Sequence, residues 1–356
     1  MTKDDKTENL SRRKLIGKIT AGAAAIPLLG TGAQGQPTTP PTRGAGGANA
    51  GRGGRGGGGG GRGPRNGHGP IKVLLIAGDH PYDYDQFFAM FDTLGEDITW
   101  NFVTQPAAEK FFDPDVSSDI DVFVLYDRAG RDPLPPGVPN IHEEGDRTPQ
   151  GRNVTYRQPS AALKRGIKAM LQKGKGMVLL HHSIASWVHT WPEYVEMVGG
   201  ACDWDYPQTI RGVKYPYSGF RGGVQQHITA VDPTHPVVAG LENGFDINDE
   251  VYLCPIFPET FHPLLKTDFV PIAANFPAQM AAAQAAGTTY NHPPGIPYSG
   301  WYKAVENSPM VYIQHGHGND AWTNPAYQKL VLNAIKWTAS PEGHAWAKAN
   351  AKKVFT

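Results

Sequence analysis

Residues 71–79 read IKVLLIAGD, an unbroken apolar run closed by a glycine and an aspartate. A strand with one wet face alternates apolar and polar residues, so a continuous run predicts a strand buried on both sides, as in the middle of a parallel sheet. Parallel neighbours need a crossover, and the next segment supplies one. YDQFFAMFDTL spaces Phe87, Phe88, Phe91 and Leu94 along one helical face. ITWNFVTQ and IDVFVLYD then read as two more strands, PSAALKRGIKAMLQKGKG as a helix that starts after proline and stops at glycine, and MVLLHHS as a fourth strand. SPMVYIQHG is a late core strand, and NPAYQKLVLNAIKWTAS the last long helix. Strands alternating with helices predict an α/β fold: a doubly wound, mostly parallel sheet with helices on both faces. Residues 201–300, rich in Pro, Gly, Tyr and His, read as an irregular insertion forming a wall beside the sheet.

The first seventy residues have another character. SRRKLIGK carries a twin arginine ahead of ITAGAAAIPLLG, the pattern of a Tat-type export signal over residues 1–35. The apolar run is too short for a stable membrane anchor. Residues 36–70, including GRGGRGGGGGGRG, bury nothing and read as a disordered linker. Residues 71–356 are left as one folded domain, expected in the periplasm or outside the cell after passage through the Tat machinery. A formal net charge of zero hides an asymmetry. The first seventy residues hold 11 Lys and Arg against 3 Asp and Glu, leaving 22 basic and 30 acidic residues for the rest. An acidic folded part argues against a nucleic-acid partner. The only two cysteines, Cys202 and Cys254, either pair in a disulfide or are both small buried residues.

In a doubly wound fold, chemistry collects beyond the carboxyl ends of the strands. That edge would gather His80 from the first strand, Asp127 from the third, His181 and His182 from the fourth, and His315, His317 and Asp320 from the late strand. In LLHHSIASW the strand is expected to turn at once into a helix, a strand–turn–helix elbow that lifts His181 above the helix end. INDEVYL adds Asp249, Glu250 and Tyr252, carboxylates that can orient an imidazole, act as a base or bind a metal. Asn324 or Thr323, before Pro325, can cap the last helix, which frees His315, His317 and Asp320 from that task.

The chain resembles the ThuA-like family, named for trehalose utilisation. The resemblance rests on IAGDHPYD, GKGMVLLHHSIASW with YVEMVGG, ITAVDPTHPVVAGL with DINDEVY, and VYIQHGHGNDAWTNPAYQKLVLNAIKWTAS, spread across 71–340. It implies a class I glutamine amidotransferase-like fold. Amidotransferases place a cysteine at the elbow; here that position is His181, so glutamine hydrolysis is not expected. Family members often carry a histidine shortly after the GG of the VGG segment, where this chain has GGACDWDYP. The resemblance further implies carbohydrate metabolism, including sugars first oxidised to 3-keto glycosides. A keto group acidifies neighbouring C–H bonds, so a base and an electrophile suffice for isomerisation or elimination. The residues expected to act are His181, Glu250, His80 and His315. His182, Asp127, Trp187, Asp320 and Trp322 would bind substrate, and a divalent metal, if used, would sit on His315 and His317. Two other functions fit the same residues: a non-catalytic carbohydrate-binding scaffold, and a metal-dependent glycoside or ester hydrolase.

Overall fold

The computed structural model describes residues 67–78, 80–133 and 154–355. The expected leader and nearly all of the expected linker lie outside the described residues. In chain order come β1 (Ile71–Gly78), α1 (Tyr84–Thr93), β2 (Ile98–Thr104), β3 (Val122–Asp127), β4 (Arg131–Pro133), β5 (Val154–Tyr156), α2 (Ala161–Gln172), β6 (Gly176–Leu180) and α3 (Pro192–Val198). There follow β7 (Gln208–Ile210), β8 (Val213–Tyr215), β9 (Gly219–Ala230), β10 (Phe245–Leu253), β11 (His262–Thr267) and α4 (Pro277–Ala285). The chain continues with β12 (Tyr298–Val305), β13 (Ser308–Ile313), α5 (Asn319–Trp322), α6 (Pro325–Ala339) and α7 (Pro341–Ala349).

Nine strands form one sheet in the order β10-β9-β11-β12-β13-β6-β3-β1-β2. From β2 to β13 the pairings are parallel. From β13 to β10 they are antiparallel. The segment read from sequence as an irregular insertion therefore continues the sheet, and its strands β9–β12 build the antiparallel half.

The apolar run of β1 divides as a doubly covered strand must. Val73, Leu75 and Ala77 pack with Phe87, Met90 and Phe91 of α1 and with Leu330, Val331 and Ile335 of α6. Leu74 and Ile76 enter the opposite core with Leu163, Ile167 and Met170 of α2 and with Met197 of α3. Period-2 alternation thus serves two cores at once. Ser160 caps α2 by accepting from the Leu163 amide, and Asn324 caps α6 by accepting from the Ala326 and Tyr327 amides. Cys202 and Cys254 form a disulfide, with Cα atoms 5.3 Å apart.

One buried charge lies far from the strand ends. Lys303 of β12 donates from Nζ to the Glu196 carbonyl of α3's last turn at 2.8 Å. Burial, reinforced by the charges of Lys352 and Arg211, lowers its ammonium to about 7. Between about pH 7 and the ordinary lysine range, the unfolded chain then binds more protons than the folded one, so stability rises with pH across that window. Urea titrations of the unmodified chain and Lys303→Met are expected to diverge in this way, the unmodified chain gaining on the variant from pH 7 to pH 10. A constant difference would show that Lys303 keeps its charge when folded.

Candidate functional site

Because β1, β3, β6 and β13 are parallel, their carboxyl ends share one rim. His181 follows β6 directly with φ +48°, a left-handed conformation uncommon outside glycine. That turn lifts its ring over the rim, as the elbow reading expects. The residues after it form a short 3-10 turn, His181–Ala185, instead of the expected helix. The His181 ring is fully buried and held from several sides. Nδ1 lies 2.7 Å from the Gln314 carbonyl oxygen. Nε2 lies 3.1 Å from His317 Nδ1 and 3.4 Å from Glu250 Oε2. The Tyr252 hydroxyl is within 2.9 Å of both ring nitrogens. A carbonyl oxygen only accepts, so Nδ1 carries a hydrogen and Nε2 is the nitrogen that faces the cluster.

Asp249 and Glu250 come from the edge strand β10, and as neighbours in a regular strand they would face opposite ways. The ladder with β9 is irregular here: Asp249 pairs with Val224 and Val251 with Arg221, so Gly222 and Gly223 together oppose Glu250. Such a bulge re-aims side chains, and both carboxylates reach the loop after β13. Asp249 accepts from the Gly316 amide at 2.6 Å and the His317 amide at 3.1 Å, clamping that loop. Glu250 Oε2 lies 3.3 Å from His317 Nδ1. Burial would raise the Glu250 carboxyl, but hydrogen bonds and charge from His181 and His317 hold it well below the ordinary range. Burial would lower His317, and Glu250 reverses this and raises it. The two form an ion pair, with the His317 side chain half exposed.

Beside the pair opens a cavity of about 190 Å³, lined by Asn248, Asp249, Glu250, His317 and Asp320 among others. Asp320 accepts from Asn248 Nδ2 at 2.6 Å. His181 lies behind Glu250 and His317 and does not line the cavity. His182 stacks beside His181 at 4.0 Å between ring centroids and beside His80 at 4.3 Å. Burial, then the neighbouring histidines, keeps His182 well below its ordinary value, and burial takes His80 to about 3. Both rings are therefore neutral at pH 7.

Other expected residues are placed elsewhere. His315 is fully buried, with Nδ1 3.6 Å from Asp249 Oδ2, and it does not join His317 as a metal-ligand pair. Gly316 between them has φ +120°, which turns successive side chains apart; there a Cβ would stand 2.2 Å from the Tyr327 hydroxyl. The histidines able to share an ion with Glu250 are His181, His182 and His317, whose donor atoms all lie within 4.8 Å of one another. Asp127 is buried and accepts from Gln105 Nε2 at 2.6 Å. Trp187 is a core residue, its ring against Gly130. Trp322 is also core; its Nε1 donates to the Gly316 carbonyl at 3.0 Å and so supports the loop from below.

Tyr252 and Asp249 carry more of the geometry than the sequence reading gave them. Their signal was present in DINDEVY, but a role for two adjacent carboxylates depends on the bulge. The two aspartates of GGACDWDYP, where family members often have histidine, form a buried network with Arg128 and Arg131. Asp203 also meets His189 and the Tyr156 hydroxyl. Burial opposes its ionisation, and hydrogen bonding and charge from His189, with Arg128, keep its carboxyl below the ordinary range. Between these aspartates, Trp204 stands 5.5 Å from His182 and 5.0 Å from Tyr252, with the Arg128 guanidinium 4.8 Å over its ring.

A family model described as ThuA, trehalose utilisation, matches residues 153–338, just over half of the 356 residues. No curated protein matches the chain. A solved ThuA-like protein from Parabacteroides merdae is 18% identical, with 76% of this chain and 90% of that one covered and a TM-score of 0.49. Another from Bacteroides uniformis is 18% identical, with 78% and 93% covered and a TM-score of 0.46. A glutamine amidotransferase from Thermotoga maritima is 8% identical, with 77% and 100% covered and a TM-score of 0.36. The matched segment holds the elbow histidines, the β10 carboxylates and the loop after β13, and by that match the chain belongs to the ThuA family.

Proposed function

We propose that this protein is a carbohydrate enzyme that binds a keto sugar at the strand-end cavity and promotes isomerisation or elimination by proton transfer. One observation carries the reading: a half-exposed imidazole, His317, paired with and raised by a buried carboxylate, Glu250, at the wall of a small cavity. A cation facing bound substrate stabilises the negative charge that develops on a keto oxygen as an enediolate forms. Asp320, on the same wall and fixed by Asn248, is placed to take the acidified proton. His181 is a positioning residue: it meets His317 and Glu250 from behind, and its tautomer is set by Gln314. Among the described residues the cavity lining includes no serine or cysteine, and both cysteines are paired. Covalent acyl transfer of the amidotransferase kind therefore has no thiolate to use. An export signal of the kind expected from the sequence would put this activity outside the cytoplasm.

Incubation with a 3-keto glucoside and with the unoxidised glucoside, followed by product analysis, tests the reading. Consumption of the keto sugar alone, giving an isomer or an elimination product, is the expected result. Equal cleavage of both would favour a hydrolase, and binding without turnover a scaffold.

A further inference from the structure

Behind the cavity, several atoms able to ligate a metal crowd together. His181 Nε2, His317 Nδ1 and Glu250 Oε2 form a closed triangle with sides of 3.1, 3.3 and 3.4 Å. The Gln314 carbonyl takes the hydrogen on His181 Nδ1, which turns Nε2 toward the other two atoms. His182 adds a fourth candidate donor, and its buried Nδ1 has no hydrogen-bond partner, an arrangement that folded proteins rarely leave unused.

The three sides of the triangle match the separations around a small metal ion, with a donor of His182 within 4.8 Å of the same atoms. Bonds of about 2.0–2.2 Å to nitrogen and oxygen set donor–donor distances of about 3.4 Å in a tetrahedron and about 3 Å between neighbours in an octahedron. A backbone carbonyl fixing the far nitrogen of a ligating histidine is the usual support for such a centre, and Gln314 supplies it for His181. Asp249, by holding the Gly316 and His317 amides, fixes the loop that carries the third imidazole.

We propose that His181, His182, Glu250 and His317 bind one divalent transition-metal ion, which displaces the proton between Glu250 and His317 and takes over from it as the electrophile of the cavity. Three imidazoles and one carboxylate suit zinc, cobalt, nickel, manganese or iron better than calcium or magnesium. His317 and Glu250 stand at the cavity wall, so the ion's open side faces the ligand. A keto oxygen and an adjacent hydroxyl are the two-point ligand such an ion takes, which narrows the substrate class to α-hydroxyketones. The inference rests on the reading that this rim is the reactive centre.

The test uses the full chain, stripped with a chelator and titrated with Co²⁺ and Zn²⁺, with Mg²⁺ and Ca²⁺ for comparison. One equivalent of Co²⁺ is expected, with the intense visible bands of a nitrogen-ligated site of low coordination number, and no competition from Mg²⁺ or Ca²⁺. Glu250→Gln and His182→Asn should each weaken binding by ten-fold or more, while His262→Gln, which removes an exposed imidazole on β11, leaves it unchanged. Should either variant fail to fold, the Co²⁺ spectrum of the unmodified chain decides alone. No binding, the pale spectrum of hydrated cobalt, or variants within about two-fold of the unmodified chain would overturn the assignment. Undiminished turnover of a keto sugar by stripped protein would also overturn it while leaving the carbohydrate reading intact. One tightly held equivalent, with no turnover of any keto sugar, would uphold the ion and remove that reading.

Discussion

Glu250→Gln is expected to lower turnover of a keto sugar by about 10²–10⁴-fold, the range lost when a positioned acid–base group is removed. The substitution keeps the volume and one acceptor oxygen, so the fold should survive. What it removes is the charge. Glu250 is buried, yet hydrogen bonding and charge from His181 and His317 keep it ionised, and it in turn raises His317. Without that carboxylate, His317 keeps the penalty of burial with only the charge of Asp249 against it, so it gives up its proton more readily and the cavity loses its electrophile. The same loss would follow if the cluster holds an ion, because the one anionic ligand would be gone. Steady-state kinetics on both proteins, with circular dichroism to confirm the fold, measure the effect. Activity within about ten-fold of the unmodified enzyme would mean that the Glu250–His317 pair does not act on substrate.

Asp205→Ala is expected to destabilise the protein by about 3–5 kcal/mol, the usual cost of removing one partner from a buried ion pair. Asp205 is almost fully buried and accepts from Arg128 Nη2 at 2.8 Å and from Arg131 Nε and Nη2 at 2.6 and 3.2 Å. Its loss leaves Arg131 without its two-point partner and, among the described residues, Arg128 with Asp203 as its one carboxylate, both guanidiniums in a dry environment. Urea denaturation reports this as a lower midpoint at an unchanged slope. The effect should reach the site as well, since Trp204 sits between the two aspartates and against His182 and Tyr252. A loss under about 1 kcal/mol would mean that water reaches these charges.

The parallel half of the sheet was legible because its signals are local. IKVLLIAG has no polar alternation to give it a wet face, and MVLLHH ends in side chains that no buried strand continues. Residues 219–305 were harder: β9 to β12 are joined through distant pairings, and their glycines and prolines resemble loop. The convergence of the histidines at one edge followed from parallel strand ends, and His181 was placed by its position before a turn. The partnership of His315 with His317 was inferred from H-x-H spacing, which puts two side chains on one side only while the backbone stays extended. Gly316 at φ +120° breaks that condition. The pairing of Glu250 with His317 could not be read either, because it depends on Gly222 and Gly223 opposing one residue of β10. Residue type alone suits tryptophan to sugar faces, yet Trp187 and Trp322 fill core positions, a use that residue type cannot distinguish.

Solvent-deuterium exchange into a 3-keto glucoside, followed by proton NMR with unmodified protein and with His317→Ala, tests the central claim most directly. The account predicts that the unmodified protein replaces the hydrogen on a carbon beside the keto group, and that the variant does so at least about 10²-fold more slowly. Exchange no faster than in buffer, or equally fast in both proteins, would contradict it.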